Sequence, residues 1–159
     1  MGTNWRSCRR SPVDDFLRST VLVEIHGQPF SPWQELDAWS RDAAAMSVFL
    51  GKVRGTALDG GDLEALEVEH YAGLCERCIE SSARRLLIEH GASAAMVLHR
   101  VGRLSPGDLI VLVAVQADRR GSAQRCSAAL LEALKHDAPF WKREWRNGQG
   151  VWLEGNTPL

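Results

Sequence analysis

The sequence predicts an α+β domain, with two long amphipathic helices set among about six strands. Three observations carry that prediction. Residues 72–90 and 121–137 repeat apolar side chains at helical spacing, residues 63–71 alternate apolar with polar, and residues 109–115 (LIVLVAV) are apolar throughout. At 159 residues the length suits one domain. A domain of that size buries roughly 68–70% of its unfolded surface, enough for a core without disulfide staples.

Residues 1–18 carry Arg6, Arg9 and Arg10 but no apolar stretch after them. They read as a flexible tail rather than a secretory signal, and residues 19–159 as the folded domain. Residues 19–26 (STVLVEIH) are rich in β-branched side chains and predict a first strand. Ser31, Pro32 and Gln34 predict a helix start, with Ser31 as cap and Pro32 in the first turn. That helix is short and ends near Arg41. Residues 44–53 predict a strand, followed by a loop over 54–62 that holds Gly55, Gly60 and Gly61. Residues 63–71 predict another strand, with Leu66, Val68 and His70 on one side and Glu67, Glu69 and Tyr71 on the other.

The helix over 72–90 places Cys75, Ile79, Ala83 and Leu86 on one face and stops at Gly91. Residues 93–101 predict a strand and 105–108 a turn. The run 109–115 predicts a strand buried on both faces. The helix over 121–137 aligns Ala123, Cys126, Leu130 and Leu134, and Pro139 breaks it. Residues 140–145 and 151–154 predict two short strands around a turn at Asn147-Gly148.

Composition excludes several function classes. Nineteen basic against twenty acidic residues give a net charge of −1, so no overall positive field favours nucleic acid. The longest apolar run is about a third of the ~20 residues a membrane span needs. The four cysteines stand at 8, 75, 78 and 126. Cys75 and Cys78 have CxxC spacing, but no second ligand pair completes a zinc site, so they read as small packing residues in a reducing cytosol. No P-loop, GxGxxG, HExxH or GxSxG motif is present.

Charge is unevenly spread. Residues 59–69 hold five acids and no Lys or Arg, whereas residues 118–146 hold seven Lys or Arg against four acids. Arg119 and Arg120 open the second long helix, where free backbone N–H groups already favour anions. They predict a phosphate or carboxylate site, or else two solvated arginines. Lys135 falls in that helix's last turn, where a dipole partner is the plain alternative. Lys142 lies among Phe140, Trp141 and Arg143; burial there lowers a lysine's pKa toward the range of acid–base work. Lys52 and Arg54 leave a strand end on one side of the chain, as site cations or a surface pair. His70 and His99 sit in strand patterns that suit core-edge histidines.

Taken together, five segments resemble one family, the large catalytic subunit of molybdopterin synthase. They are Phe49-Leu50-Gly51-Lys52-Val53-Arg54, Leu66-Glu67-Val68-Glu69-His70-Tyr71, His99-Arg100-Val101-Gly102, Pro106-Gly107-Asp108 and Ala138-Pro139-Phe140-Trp141-Lys142-Arg143-Glu144. Their order and spacing run from about Thr20 to Glu154. The resemblance implies an α/β-hammerhead-like fold and a homodimer. Each copy would bind a small ubiquitin-like sulfur-carrier subunit, making a heterotetramer. The carrier's C-terminal thiocarboxylate would supply sulfur to cyclic pyranopterin monophosphate, building the dithiolene of molybdopterin in molybdenum cofactor biosynthesis. No cofactor or metal is implied for this subunit, nor a nucleic-acid or membrane partner, and its place would be the cytoplasm.

Residue by residue, the resemblance implies catalytic roles for Lys135 and Lys142. Arg54, Arg120, Arg119 and Lys52 would bind substrate, some of them from the neighbouring copy. Arg143 and Glu144 would form an ion pair that positions Lys142. The sequence departs from the family at Arg119, where histidine is usual, at Gln124, and in the loop over 55–62. The alternative is a divergent paralogue that binds a ubiquitin-like partner or phosphorylated ligand without turnover. Nucleic-acid stacking on Trp141 and Trp145 is a weaker alternative, since Trp in such a strand pair is more often core.

Overall fold

The computed structural model describes residues 20–39, 43–57 and 59–154. The expected tail at 1–18 lies outside the described residues, as does Cys8. Among the described residues the elements run β1 (Val21–His26), α1 (Pro32–Trp39), β2 (Ala45–Lys52), β3 (Ala65–His70), α2 (Leu74–His90), β4 (Ala94–Arg100), β5 (Gly102–Leu104), β6 (Leu109–Ala117), α3 (Arg120–His136), β7 (Phe140–Arg146) and β8 (Gln149–Trp152). Fold class and element order follow the sequence prediction. The added strand is β5, too short to show a pattern of its own.

The strands form two four-stranded sheets. Sheet I has the order β1-β4-β6-β2 and sheet II the order β5-β3-β7-β8. β1 pairs with β4 in parallel, while β6 is antiparallel to both β4 and β2. Every pairing in sheet II is antiparallel.

The apolar run of β6 explains itself in this setting. Val113 and Val115 face a core built with Ile79, Ala83 and Leu86 of α2 and Cys126 and Leu130 of α3. Leu112 and Ala114 face the opposite core, with Trp39 of α1 and Met96 and Leu98 of β4. Helices cover both faces of an antiparallel pair, so the strand cannot alternate with polar residues. Cys75 and Cys126 are fully buried, and the Cys75 thiol donates to the Pro139 carbonyl at 3.4 Å. A third core lies under sheet II, from Val53, Leu63, Leu66, Val68 and Leu104. Phe140 packs against both the first and the third core, so it ties sheet II to the helices.

The helix ends are set locally. α2 starts two residues later than its pattern, after Gly73 (φ 78°), whose N–H donates to Glu76 Oε2 at 2.6 Å. It ends on Gly91 in the left-handed conformation, with Ala92 N–H returning to the Leu87 carbonyl. The β7–β8 hairpin turns on Asn147 (φ 49°) and Gly148 (φ 70°), as an Asn-Gly pair favours.

Candidate active site

β2 and β4 end where β6 begins, because β6 runs antiparallel to both: Lys52 pairs with Leu109, and His99 with Val111. α3 leaves the far end of β6 and packs back along the sheet, so its last turn, with Lys135, returns to that same end. β7 follows directly and carries Lys142.

Alternation along β7 decides what Lys142 sees. Its inward side chains are Phe140, Lys142 and Glu144, which stand opposite His70, Val68 and Leu66 of β3. Trp141, Arg143 and Trp145 point the other way. Lys142 is half-buried, and among the described residues its ammonium has no hydrogen bond or ion pair. Burial pushes its pKa below the ordinary lysine value, and the nearby positive charge of Lys135 pushes it further. Lys135 itself is held by Glu132, Nζ to Oε1 at 3.2 Å, one turn back on α3.

His99 stands near Lys142, on the same side of β7 as Phe140. It is 6% exposed, and its ring stacks on Phe140 with centroids 4.1 Å and planes 14° apart. Its Nδ1 lies 2.8 Å from the Arg100 carbonyl, an acceptor only, which places the proton on Nδ1. Burial lowers the His99 pKa to about 4; the bond to Arg100 opposes this, while Lys142 and His70 add to it. His99 is thus a buried core-edge histidine, as its strand pattern suggests, but one beside the candidate lysine.

Lys52 and Arg54 are exposed and flank Val53, whose side chain is buried. Val53 is pinned to the turn before β6: its N–H donates to the Asp108 carbonyl and its carbonyl accepts from Gly107 N–H, both at 2.9 Å. Asp108 is held in turn by Ser105 N–H at 2.9 Å and by the buried Arg100 at 3.7 Å. Neither Lys52 nor Arg54 has an ion-pair partner among the described residues.

Arg119 and Arg120 lie elsewhere. Arg119 caps α3 and Arg120 begins it, both exposed and unpaired among the described residues. Fifteen residues of helix separate Arg120 from Lys135, about 22 Å along the axis. A single copy therefore brings Lys135, Lys142, Lys52 and Arg54 to one end of sheet I and leaves Arg119 and Arg120 at the other.

Two expectations are corrected. Arg143 and Glu144 do not pair, because neighbours in a strand face opposite sides. Arg143 binds Glu67 at 2.8 Å on the outer face, and Glu144 is buried on the Lys142 side with Arg146 at 3.8 Å. Trp145 is not core: it lies on the outer face between Arg103 and Arg143. The sequence reading missed Glu67 as the partner of Arg143, though the matching parities of the two strands carried that signal. It also missed the stacking of His99 on Phe140, for which no local signal exists.

A family model described as MoaE protein matches residues 25–137. A molybdopterin synthase catalytic subunit from Cereibacter sphaeroides is 37% identical over 136 residues, 84% of this chain and 91% of the relative. The chain belongs to the MoaE family. The MoaE match contains Lys52, Arg54, Arg119, Arg120 and Lys135, and ends before Lys142. Two solved structures share the fold. The molybdopterin biosynthesis MoaE protein from Burkholderia ambifaria has TM-score 0.72 at 32% identity, covering 86% of this chain and 91% of that one. The molybdopterin synthase from Staphylococcus aureus has TM-score 0.72 at 26% identity, covering 85% and 96%. As a MoaE protein, the chain has relatives that are named enzymes, and the site residues are the place to look for the chemistry.

Proposed function

We propose that this chain is the catalytic subunit of a cytoplasmic molybdopterin synthase. It takes sulfur from the C-terminal thiocarboxylate of a small ubiquitin-like carrier subunit and delivers it to cyclic pyranopterin monophosphate, forming the dithiolene of molybdopterin. The observation that carries the reading is Lys142: a half-buried amine with a lowered pKa and no carboxylate paired to it among the described residues. An amine lowered by burial and by a neighbouring cation gives up its proton more readily than an ordinary lysine, which suits acid–base work.

The reaction asks for two kinds of positive charge. Once the sulfur has bonded to the acceptor, water adds to the carrier's terminal carbonyl carbon, the C–S bond breaks and the carrier leaves as a carboxylate. The tetrahedral species between carries negative charge on oxygen, which a nearby ammonium stabilises. Lys142 and Lys135 serve that centre. The acceptor's cyclic phosphate needs guanidinium or ammonium donors that are not already spent on carboxylates. Arg54 and Lys52 meet that need within one copy, and Arg119 and Arg120 meet it from a second. The 22 Å or so between Arg120 and Lys135 supports a homodimer in which each site draws on both copies. With a carrier on each copy the assembly is a heterotetramer. No helix among the described residues is long and apolar enough to cross a membrane.

The test is a single-turnover assay with thiocarboxylated carrier and cyclic pyranopterin monophosphate. Product should form with the natural chain and vanish with Lys142→Ala, while carrier binding persists. Arg120→Ala should also abolish product. Mixing the two inactive variants should restore roughly a quarter of the activity, because half the dimers are hybrids with one intact site each. Carrier binding without any product from the natural chain would instead favour a binding paralogue. The observation behind that second reading is Arg119, a permanent cation where the family usually has a titratable histidine. Arg119→His would then be the variant to restore turnover.

A further inference from the structure

We propose that His99 is the positioning residue of Lys142: anchored through Nδ1 and stacked on Phe140, it holds the inner face of β7 in place and keeps a neutral ring beside the lysine. The inference deepens the reading of Lys142 given above and rests on it.

The anchoring is specific. A backbone carbonyl can only accept, so the bond from Nδ1 to Arg100 sets one neutral tautomer and leaves the lone pair on Nε2. That bond fixes the ring plane, and the near-parallel stack transmits the plane to Phe140. Phe140 is the first residue of β7, two before Lys142 on the same face. Its backbone is also constrained, since Phe140 N–H donates to the Ala138 carbonyl at 2.8 Å and the Pro139 carbonyl accepts from Cys75. The path from His99 to Lys142 is thus one stacked ring and two residues of strand.

The other titratable groups near Lys142 do not do this. Lys135 from α3 is engaged with Glu132. His70 from β3 meets Phe140 at a longer centroid distance, 6.5 Å, with planes 29° apart. Glu144 shares the face of β7 but has Arg146 beside it. Among the described residues near Lys142, His99 of β4 alone combines near-complete burial, a fixed tautomer and close stacking. Protonating it would place a second cation beside Lys142, and burial opposes that.

The experiment follows Lys142 without needing turnover. The amine is acetylated competitively with acetic anhydride across a pH series in the whole protein, and its labelling is read by mass spectrometry. His99→Asn keeps a donor for the Arg100 carbonyl but has no ring to stack. Its Lys142 labelling curve should move up toward that of an ordinary lysine. His99→Phe keeps the stack and should restore most of the natural curve. Phe140→Leu removes the other half of the stack and should reproduce the Asn result, which keeps the test alive if His99→Asn fails to fold. In single turnover, His99→Asn should lose on the order of 10- to 100-fold in rate, with its pH profile moving the same way as the labelling. An unchanged labelling curve in folded His99→Asn or Phe140→Leu overturns the proposal, even if the rate falls. A shifted curve together with no turnover from the natural chain sustains the positioning role and sinks the reading of Lys142 as an acid–base group.

Discussion

Arg143 of β7 grips Glu67 of β3 across the outer face of sheet II. Its Nη2 and Nε lie 2.8 and 3.1 Å from Glu67 Oε2, and Trp145 Nε1 donates to the same oxygen at 2.6 Å. The Arg143 guanidinium also stands 4.5 Å from the Trp152 ring and 5.0 Å from the Trp145 ring. Two strands, β3 and β7, are tied through one carboxylate, and β8 joins through the ring of Trp152 against Arg143. Its pKa is held below the ordinary value, by the Trp145 bond first and by Arg143, against the effect of burial. The face that carries Lys142 is the other face of the same strand, so this latch supports the site from behind.

Glu67→Gln keeps the shape and removes the charge. It should destabilise the chain by about 1 kcal/mol, the scale of one charge-assisted hydrogen bond in a partly exposed place. Urea unfolding checks the magnitude, and a change in near-ultraviolet dichroism from Trp145 and Trp152 checks the location. Glu69→Gln is the control, since Glu69 is half-exposed and 3.9 Å from Arg143. A loss as large as that of Glu67→Gln would refute the latch.

His99 makes stability depend on pH on the acid side. With a folded pKa of about 4 against an ordinary 6.5, the unfolded chain takes up a proton there that the folded chain refuses. The contribution is fully present above about pH 6.5 and is lost as the pH falls toward 4, on the order of 3 kcal/mol in all. The stability difference between the natural chain and His99→Phe should therefore shrink or reverse between pH 7 and pH 4.5. Urea midpoints at the two pH values decide it; a constant difference counts against a buried neutral histidine.

Lys142 follows the same sign as His99 over a more alkaline range. Its lowered pKa means that the folded chain holds that proton less well than the unfolded chain, so stability rises with pH from the folded value up to the ordinary lysine value. Lys142→Met removes the buried amine while keeping most of the stem. The variant should melt higher than the natural chain at pH 7, with the gain narrowing at alkaline pH, and should be inactive. A lower melting temperature at pH 7 would show that the amine has a stabilising partner.

Gly51 sits where β2 shifts register against β6, just before Lys52. A Cβ there would stand 2.8 Å from Val111 Cγ1. Gly51→Ala should cost about 1–3 kcal/mol as an overpacked contact. Val111→Ala in the same chain should recover much of that loss, and the double-mutant cycle measures the coupling. Additive losses would mean that the glycine is needed for backbone reasons instead.

Much of this molecule is legible in the sequence because periodicity is a local property. The faces Cys75, Ile79, Ala83, Leu86 and Ala123, Cys126, Leu130, Leu134 are buried as their spacing predicts, since a helix presents every third or fourth residue whatever it packs against. The two-sided burial of β6, the stop at Gly91 and the Asn147-Gly148 turn follow equally local rules. So does the placement of Arg119 and Arg120 at a helix start and of Lys135 at its end. The rest depends on residues far apart in the chain finding a register. That Glu67 rather than Glu144 meets Arg143 follows from the pairing of β3 with β7. That His99 lies on Phe140 follows from two sheets closing over one core. That Arg120 and Lys135 end up at opposite ends of the domain follows from the helix packing lengthwise on sheet I. Spacing sets which way a side chain points along its own element; only the packed whole sets what stands opposite it, because those contacts close loops of tens of residues and form together or not at all.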